Sequence, residues 1–333
     1  MTRLILTTDD SGAGSLKQAG ITDIVIPFGF RFVWGPLPSD AELAASLTGD
    51  FAQRDQPIDH WLRNVYRKHF GEIGGNDLRL IDVCERCETI ELWIDPGPNA
   101  QLTLIWLLDY LRHHDSIVSK LTLVQADVAI AEQPPETISR WRPPAVKILN
   151  DHLEAGSLAW QAYRQPTPQD WFNLLAKDLS VLPGLRQAVL ELLEELPMPA
   201  TGLGATEIRM LELISAGNAR PSDVFAGDSK RNQRRVFGYW EVGSLLDGLA
   251  HGPAPAVAGL AEGPFTEEMH EDRQRHQRYK VSRLSLTTLG EAILKRTEDF
   301  SRHNPISRWW GGTELTNDRL WRWDPASHAL VAP

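Results

Sequence analysis

The sequence predicts an α/β fold: an N-terminal parallel, Rossmann-like sheet, then a helical connector, then a C-terminal winged-helix-like module. Three observations predict it. Short apolar strands alternate with helices over residues 1–130, strand signals vanish from Pro134 onward, and after Ala205 three helices precede two strand candidates. A chain of 333 residues is also too long for one small core. The expected segments are 1–133 (α/β), 134–200 (connector), 201–303 (winged-helix-like) and 304–333 (a Trp-rich tail packed on the body).

The first unit sets the pattern. Leu4-Ile5-Leu6 is an apolar strand, Thr7-Thr8-Asp9-Asp10-Ser11-Gly12-Ala13-Gly14 is a small polar turn, and Ser15 onward continues a helix. That strand–turn–helix unit places groups at the carboxyl end of a strand in an open parallel sheet. Asp23 to Phe28 reads as the second strand, followed by an aromatic loop to Pro38 punctuated by Gly35-Pro36-Leu37-Pro38. Ser39 with Glu42 makes a capping box for a helix through Leu47, and Ile58–Phe70 is amphipathic through Trp61, Leu62, Val65 and Tyr66. Ile90–Asp95 is the third strand. Pro96-Gly97-Pro98 turns it into a helix to about His113 that is apolar nearly all round, as burial against a sheet requires. Leu121–Val124 is the fourth strand.

Beyond Pro134, helices are expected at 136–142, 145–163, 169–177 and 184–196, divided by prolines. The last module has helices from Ala205 to Gly217, after Pro221, and from Trp240 to Leu249. Strands are expected near Phe265 and at Tyr279–Leu286, before a helix capped by Thr287 or Thr288.

Composition removes several function classes. A net charge of −10 argues against a protein that coats nucleic acid, and the acidic excess lies outside residues 205–300. No apolar run is long enough to cross a bilayer, and Met1-Thr2-Arg3 leads straight into a strand, so the chain reads as cytoplasmic. Cys84 and Cys87 form a lone C-x-x-C without the second pair that a structural zinc needs, and they read as two ordinary thiols.

Three strands end in carboxylates: Asp9 and Asp10 after the first, Asp95 after the third, Asp127 shortly after the fourth. In a parallel sheet these ends share an edge, where acids hold Mg²⁺ or act as general acid and base; for any one of them, capping a helix is the commoner role. Gly12-Ala13-Gly14 lets backbone N–H groups approach a phosphate, although the third glycine of G-x-G-x-x-G is replaced by Lys17. The expected site is therefore a small anionic, phosphorylated ligand on Asp9, Asp10, Ser11, Gly12, Ala13, Gly14, Arg31, Asp95 and Gln101. Ser11 and the N–H groups of Ala13 and Gly14 would hold the anion. Mg²⁺ or Arg31 would offset the carboxylates. No strong catalytic signature accompanies the set.

In the C-terminal module, Lys230, Arg231, Arg234 and Arg235 precede the third helix and are the residues a DNA backbone would meet. Glu267, Glu268, Glu271 and Asp272 crowd the same wing, which favours a protein partner over DNA. The tail tryptophans 309, 310, 321 and 323 read as anchors that dock the segment, with stacking on a sugar or base as the alternative.

Taken together, three stretches resemble a bacterial family of two-module proteins of unknown function. Its first strand is followed by G-D-S-x-A-G, which Asp9 to Gly14 match except at Asp9. Its W-x-D-x-L-x-x-G-P-V-P segment is met by Gly35-Pro36-Leu37-Pro38, with Phe28 and Phe30 replacing the Trp and Asp. Leu92, Trp93, Gln101 and Leu102 fit L-W-F-E-H-D followed by D-Q-L, while Pro96, Gly97 and Ala100 have lost the His and both acids. Arg308-Trp309-Trp310-Gly311-Gly312-Thr313 and Leu320-Trp321-Arg322-Trp323-Asp324 carry the likeness into the second module. The resemblance implies the two-module architecture and, with those polar residues replaced, a copy that binds without turnover.

Overall fold

A computed structural model of the chain describes residues 2–49, 61–71, 78–231 and 235–333. The chain divides into two compact units. The first comprises residues 1–32, 37–161 and 179–185, and the second 33–36, 162–178 and 186–333.

The first unit is built on a five-stranded sheet. Strands β1 (Arg3–Thr7), β2 (Ile24–Pro27), β3 (Thr89–Ile94) and β4 (Leu121–Gln125) are parallel, and β5 (Ala145–Lys147) runs antiparallel on the edge. The order is β2-β1-β3-β4-β5, so the direction of winding reverses between β1 and β3. Leu4, Leu6, Leu92 and Leu123 are buried on one side of the pleat, and Ile5, Val25, Trp93 and Val124 on the other. Both sides are apolar, as expected for parallel strands covered on two faces. Helix α1 (Asp10–Gln18), α2 (Pro98–Leu111) and α3 (Pro135–Arg140) belong to this unit. α2 is buried through Leu102, Leu104, Ile105, Trp106, Leu107 and Leu108, which explains why its sequence shows almost no polar face. The capping box at Ser39 is present, with Ser39 N–H donating to Glu42 Oε2 at 2.7 Å. Residues 58–60 of the helix expected from Ile58 lie outside the described residues, and Trp61–Phe70 is helical.

The segment expected as helix from Ala145 begins instead with β5; the helix runs over Asn150–Tyr163. Pro143-Pro144 favours extended backbone before it, and an antiparallel edge strand needs no long crossover.

In the second unit, helices Ala205–Ser215, Pro221–Arg231 and Tyr239–His251 share a core of Met210, Leu211, Val224, Leu245, Leu246 and Met269 with residues that follow them. The strand expected near Phe265 lies earlier, and the one expected at Tyr279–Leu286 is confined to the last two residues of that stretch. Val257–Ala258 pairs antiparallel with Ser285–Leu286, while Phe265 is not in a strand and Arg273–Val281 is helical. Asp272 accounts for the helix: its Oδ1 accepts from Gln274 and Arg275 N–H at 2.9 and 3.1 Å, an N-cap that the following polar run continues. Thr287 caps Thr288–Leu294 through Gly290 N–H.

Two hairpins end the chain, Ser307–Trp310 with Thr313–Thr316 and Arg322–Asp324 with Ala329–Val331. Trp310 and Trp323 are buried anchors. Trp310 packs on Tyr163 and Trp171 and donates Nε1–H to the Leu192 carbonyl at 2.7 Å. Gly311 has φ +54°, and a Cβ there would lie 2.6 Å from the Tyr163 carbonyl oxygen, so only glycine lets the hairpin turn come this close. Arg308 pairs with Glu207 at 3.0 Å and Arg322 with Asp299 at 2.9 Å, which gives both tail motifs a docking role.

Among the described residues, no helix is long and apolar enough to cross a membrane. Cys84 and Cys87 are free and buried; burial pushes both thiols up, Cys87 to about 11.

Candidate functional site

β1 and β3 pair with Thr7 opposite Trp93, which brings Asp9 level with Asp95 just past the strand ends. These strands flank the point where the strand order reverses. In open α/β sheets that point leaves a crevice at the carboxyl ends, because the connections on its two sides depart in opposite directions.

Asp95 is buried and held on three sides. Ile130 N–H donates to Oδ1 at 2.7 Å, the Thr8 hydroxyl donates to Oδ2 at 3.3 Å, and its carbonyl accepts from Gln101 Nε2 at 2.8 Å. Burial is the main reason its carboxyl is pushed up to about 7. The Ile130 N–H opposes that rise, and the charge and side-chain hydrogen bond of Asp9 add to it. Below about pH 7 the Asp95 carboxyl therefore keeps its proton, which removes a negative charge from beside Asp9. Asp9 has a second task. Its Oδ1 accepts from Gly12 N–H at 2.6 Å, which makes it the N-cap of α1. Of the two readings of the acidic edge, capping holds for Asp9.

The remaining expected residues separate into two groups. Asp10 and Ser11 are exposed on the first turn of α1. In a helix starting there, their N–H groups have no carbonyl one turn earlier within the helix. Gly12 and Ala13 are buried, and Ala13 N–H donates to the Asp9 carbonyl at 3.1 Å. The helical pattern sends Gly14 N–H to Asp10 in the same way. The expected cradle of Ala13 and Gly14 N–H groups is thus corrected, because α1 begins early enough to consume both.

Gln101 is corrected too. Fully buried on α2, it cannot face a ligand; its amide holds the Asp95 backbone instead. A Cβ built on Gly184 would lie 2.6 Å from Gln101 Oε1, so that glycine sets the amide's position. Arg31 is exposed in the aromatic loop after β2, and Asp127 is exposed beyond β4. The loop is anchored by Phe30 and Phe32 against Trp106, and by Asn99 Nδ2 donating to the Phe30 carbonyl at 2.8 Å. Among the described residues, no three His, Cys, Asp or Glu side chains converge as a metal-ligand set.

Sequence reasoning missed Thr8 and Ile130. A hydroxyl directly before two acids at a strand end was a usable signal for Thr8. Ile130 contributes only backbone, from a 3₁₀ turn at Ile130–Glu132, and carries no side-chain signal.

Of the basic set in the second unit, Lys230 is exposed, Arg235 is exposed and donates to Ser229 Oγ at 2.6 Å, Arg231 closes its helix, and Arg234 lies outside the described residues. Arg275 and Arg278 both pair with Glu262, at 3.3 and 2.5 Å.

No family model matches the chain, and no curated protein matches it at a significant level.

Proposed function

We propose that the chain binds a small anionic, phosphorylated molecule at the carboxyl edge of the sheet. The observation that carries this reading is Asp95, buried and set level with Asp9 on the two strands that flank the reversal of order, with its carboxyl pushed up to about 7. A protonated Asp95 carries no charge, so an anion nearby meets less repulsion than two carboxylates would impose. Asp10 and Ser11 N–H groups offer the anion donors at the helix N-terminus, and a ligand hydroxyl finds an acceptor on Asp9. Binding without turnover is the activity proposed.

A thermal-shift screen of sugar phosphates, with and without Mg²⁺, tests it. A ligand at 100 times its Kd should add about 2.7 kcal/mol of stability to the wild type. Ser11→Pro, which removes the Ser11 N–H in the first helical turn, should lose the gain, whereas Asp10→Ala keeps its N–H and should retain it. Equal shifts in wild type and both variants, or none at all, would make this edge structural.

A second reading concerns residues 205–294, which we propose act as a winged-helix-like module docking on a protein. It is supported by the order of three helices and a two-stranded pair, and by Tyr239 and Trp240, 47% and 38% exposed at the start of the third helix. Aromatic residues exposed together favour protein contact, while Glu262 already neutralises Arg275 and Arg278. The resemblance to a two-module bacterial family is part of the same proposal.

A further inference from the structure

The first unit contains an open groove of about 490 Å³ on the face of its sheet, a volume within the range of small-molecule sites. It lies further back along β3 than Asp95, and none of its lining residues belongs to the Asp9–Asp95 edge. Two indoles and two charged groups define it. Trp93 and Trp141 stand nearly perpendicular, with ring centres 6.2 Å apart and planes at 75°, so a flat ligand stacked on one ring meets the edge of the other. Trp93 is fixed by donating Nε1–H to Glu91 Oε2 at 2.7 Å.

The same Glu91 oxygen accepts from Arg3 Nη2 at 2.6 Å, while Arg3 Nη1 donates to the Ile21 carbonyl at 3.1 Å. Two donors on Oε2 orient the carboxylate and leave Oε1 as the acceptor for a newcomer. Arg3 Nε is buried with no hydrogen-bond partner, although an unpaired buried donor is costly. The groove thus sets the free Glu91 Oε1 beside the partly exposed Arg3 guanidinium. At its mouth, Arg142 is tied by Nη1 to the Ser139 and Trp141 carbonyls at 3.0 and 2.8 Å, which holds a positive charge in place.

We propose that this groove binds a planar heterocycle whose edge shows an N–H next to a C=O, the lactam edge of the oxopurine class. The ring N–H donates to Glu91 Oε1, the carbonyl oxygen lies against the positive Arg3 guanidinium, and the ring stacks on Trp141. An anionic substituent on the ligand would reach Arg142. An adenine ring reverses the edge, placing an acceptor against the Glu91 carboxylate, and is rejected.

Isothermal titration of the full chain with guanosine and adenosine tests the edge, with tryptophan fluorescence followed in parallel. Guanosine should bind at least about tenfold tighter than adenosine, as expected for a hydrogen bond to a charged group. Trp141→Ala should weaken guanosine by about tenfold or more through lost stacking. Glu91→Gln should remove the preference between the two bases. Because Glu91 also holds Arg3 and Trp93, a second variant acts from the exposed edge strand: Ala145→Trp fills the groove and should abolish binding at unchanged melting temperature. No binding of guanosine to the wild type overturns the proposal. So does equal binding of the two nucleosides, or guanosine affinity that survives Ala145→Trp.

Discussion

Replacing Asp95 by Asn isolates the proton that the buried Asp95 carboxyl keeps. Burial and the neighbouring Asp9 hold the native carboxyl's pKa at about 7, against about 3.9 in an unfolded chain. Between those limits the native state binds one proton more than the unfolded state, so stability falls as pH rises. The contribution is complete below about pH 4 and lost as pH passes 7. Each pH unit in the window is worth about 1.4 kcal/mol, about 4 kcal/mol in all. Asn keeps an oxygen for the Ile130 N–H and presents an amide N–H to Asp9, so it copies the protonated acid and does not titrate. Urea unfolding of both proteins at constant ionic strength, from pH 4.5 to 8.5, reads the difference. Asp95→Asn should match the wild type near pH 4.5 and exceed it by several kcal/mol above pH 7.5. Other titrating carboxyls cancel in that difference. A gap that stays constant within about 0.5 kcal/mol across the range would refute the retained proton and, with it, the electrostatic basis of the proposed ligand site.

Three further perturbations follow from the packing. Trp310→Ala should cost about 3–5 kcal/mol in urea unfolding, since a buried indole leaves Tyr163 and Trp171 facing a cavity, whereas Trp309→Ala, at a 37% exposed position, should stay within about 0.5 kcal/mol. Gly184→Ala drives a methyl into the Gln101 amide and should destabilise by about 1–3 kcal/mol, with Gly184→Ala/Gln101→Ala recovering part of the loss in the same assay. Cys84 and Cys87 should both resist a thiol reagent in the native protein and react in denaturant, because burial keeps them protonated; rapid native labelling would contradict their placement.

The parallel sheet was legible because β1 to β4 are short apolar runs with turn residues at each end, and because α2 has no polar face to mislead. The carboxylate pair was legible as two acids at two strand ends. The raised pKa of Asp95 was not, since it depends on burial and on the strand order that sets β1 beside β3. β5 was hidden in the first residues of a longer helical pattern; its three residues offer too little periodicity to separate them from Asn150–Tyr163. The helix Arg273–Val281 was misread because aromatic and β-branched residues near its end look like a strand, while the deciding element is the cap at Asp272. Gln101 was singled out to face a ligand, whereas its buried amide holds the Asp95 backbone. Nothing in sequence separates an amide that faces a ligand from one that holds the backbone beneath it.

The docking of the tail bears on how the second unit is made. Thr313 Oγ1 donates to the Gln165 carbonyl across 148 residues of chain, and Trp310 closes over Tyr163 and Trp171 in the same place. At roughly 5–20 residues per second, a ribosome needs roughly 7–30 s to travel between the two segments. Throughout that interval Tyr163 and Trp171 have been synthesised without the hairpin that covers them. The second unit therefore spends its synthesis with apolar aromatic surface exposed, and this is the stretch of the chain where a nascent-chain chaperone would find its substrate.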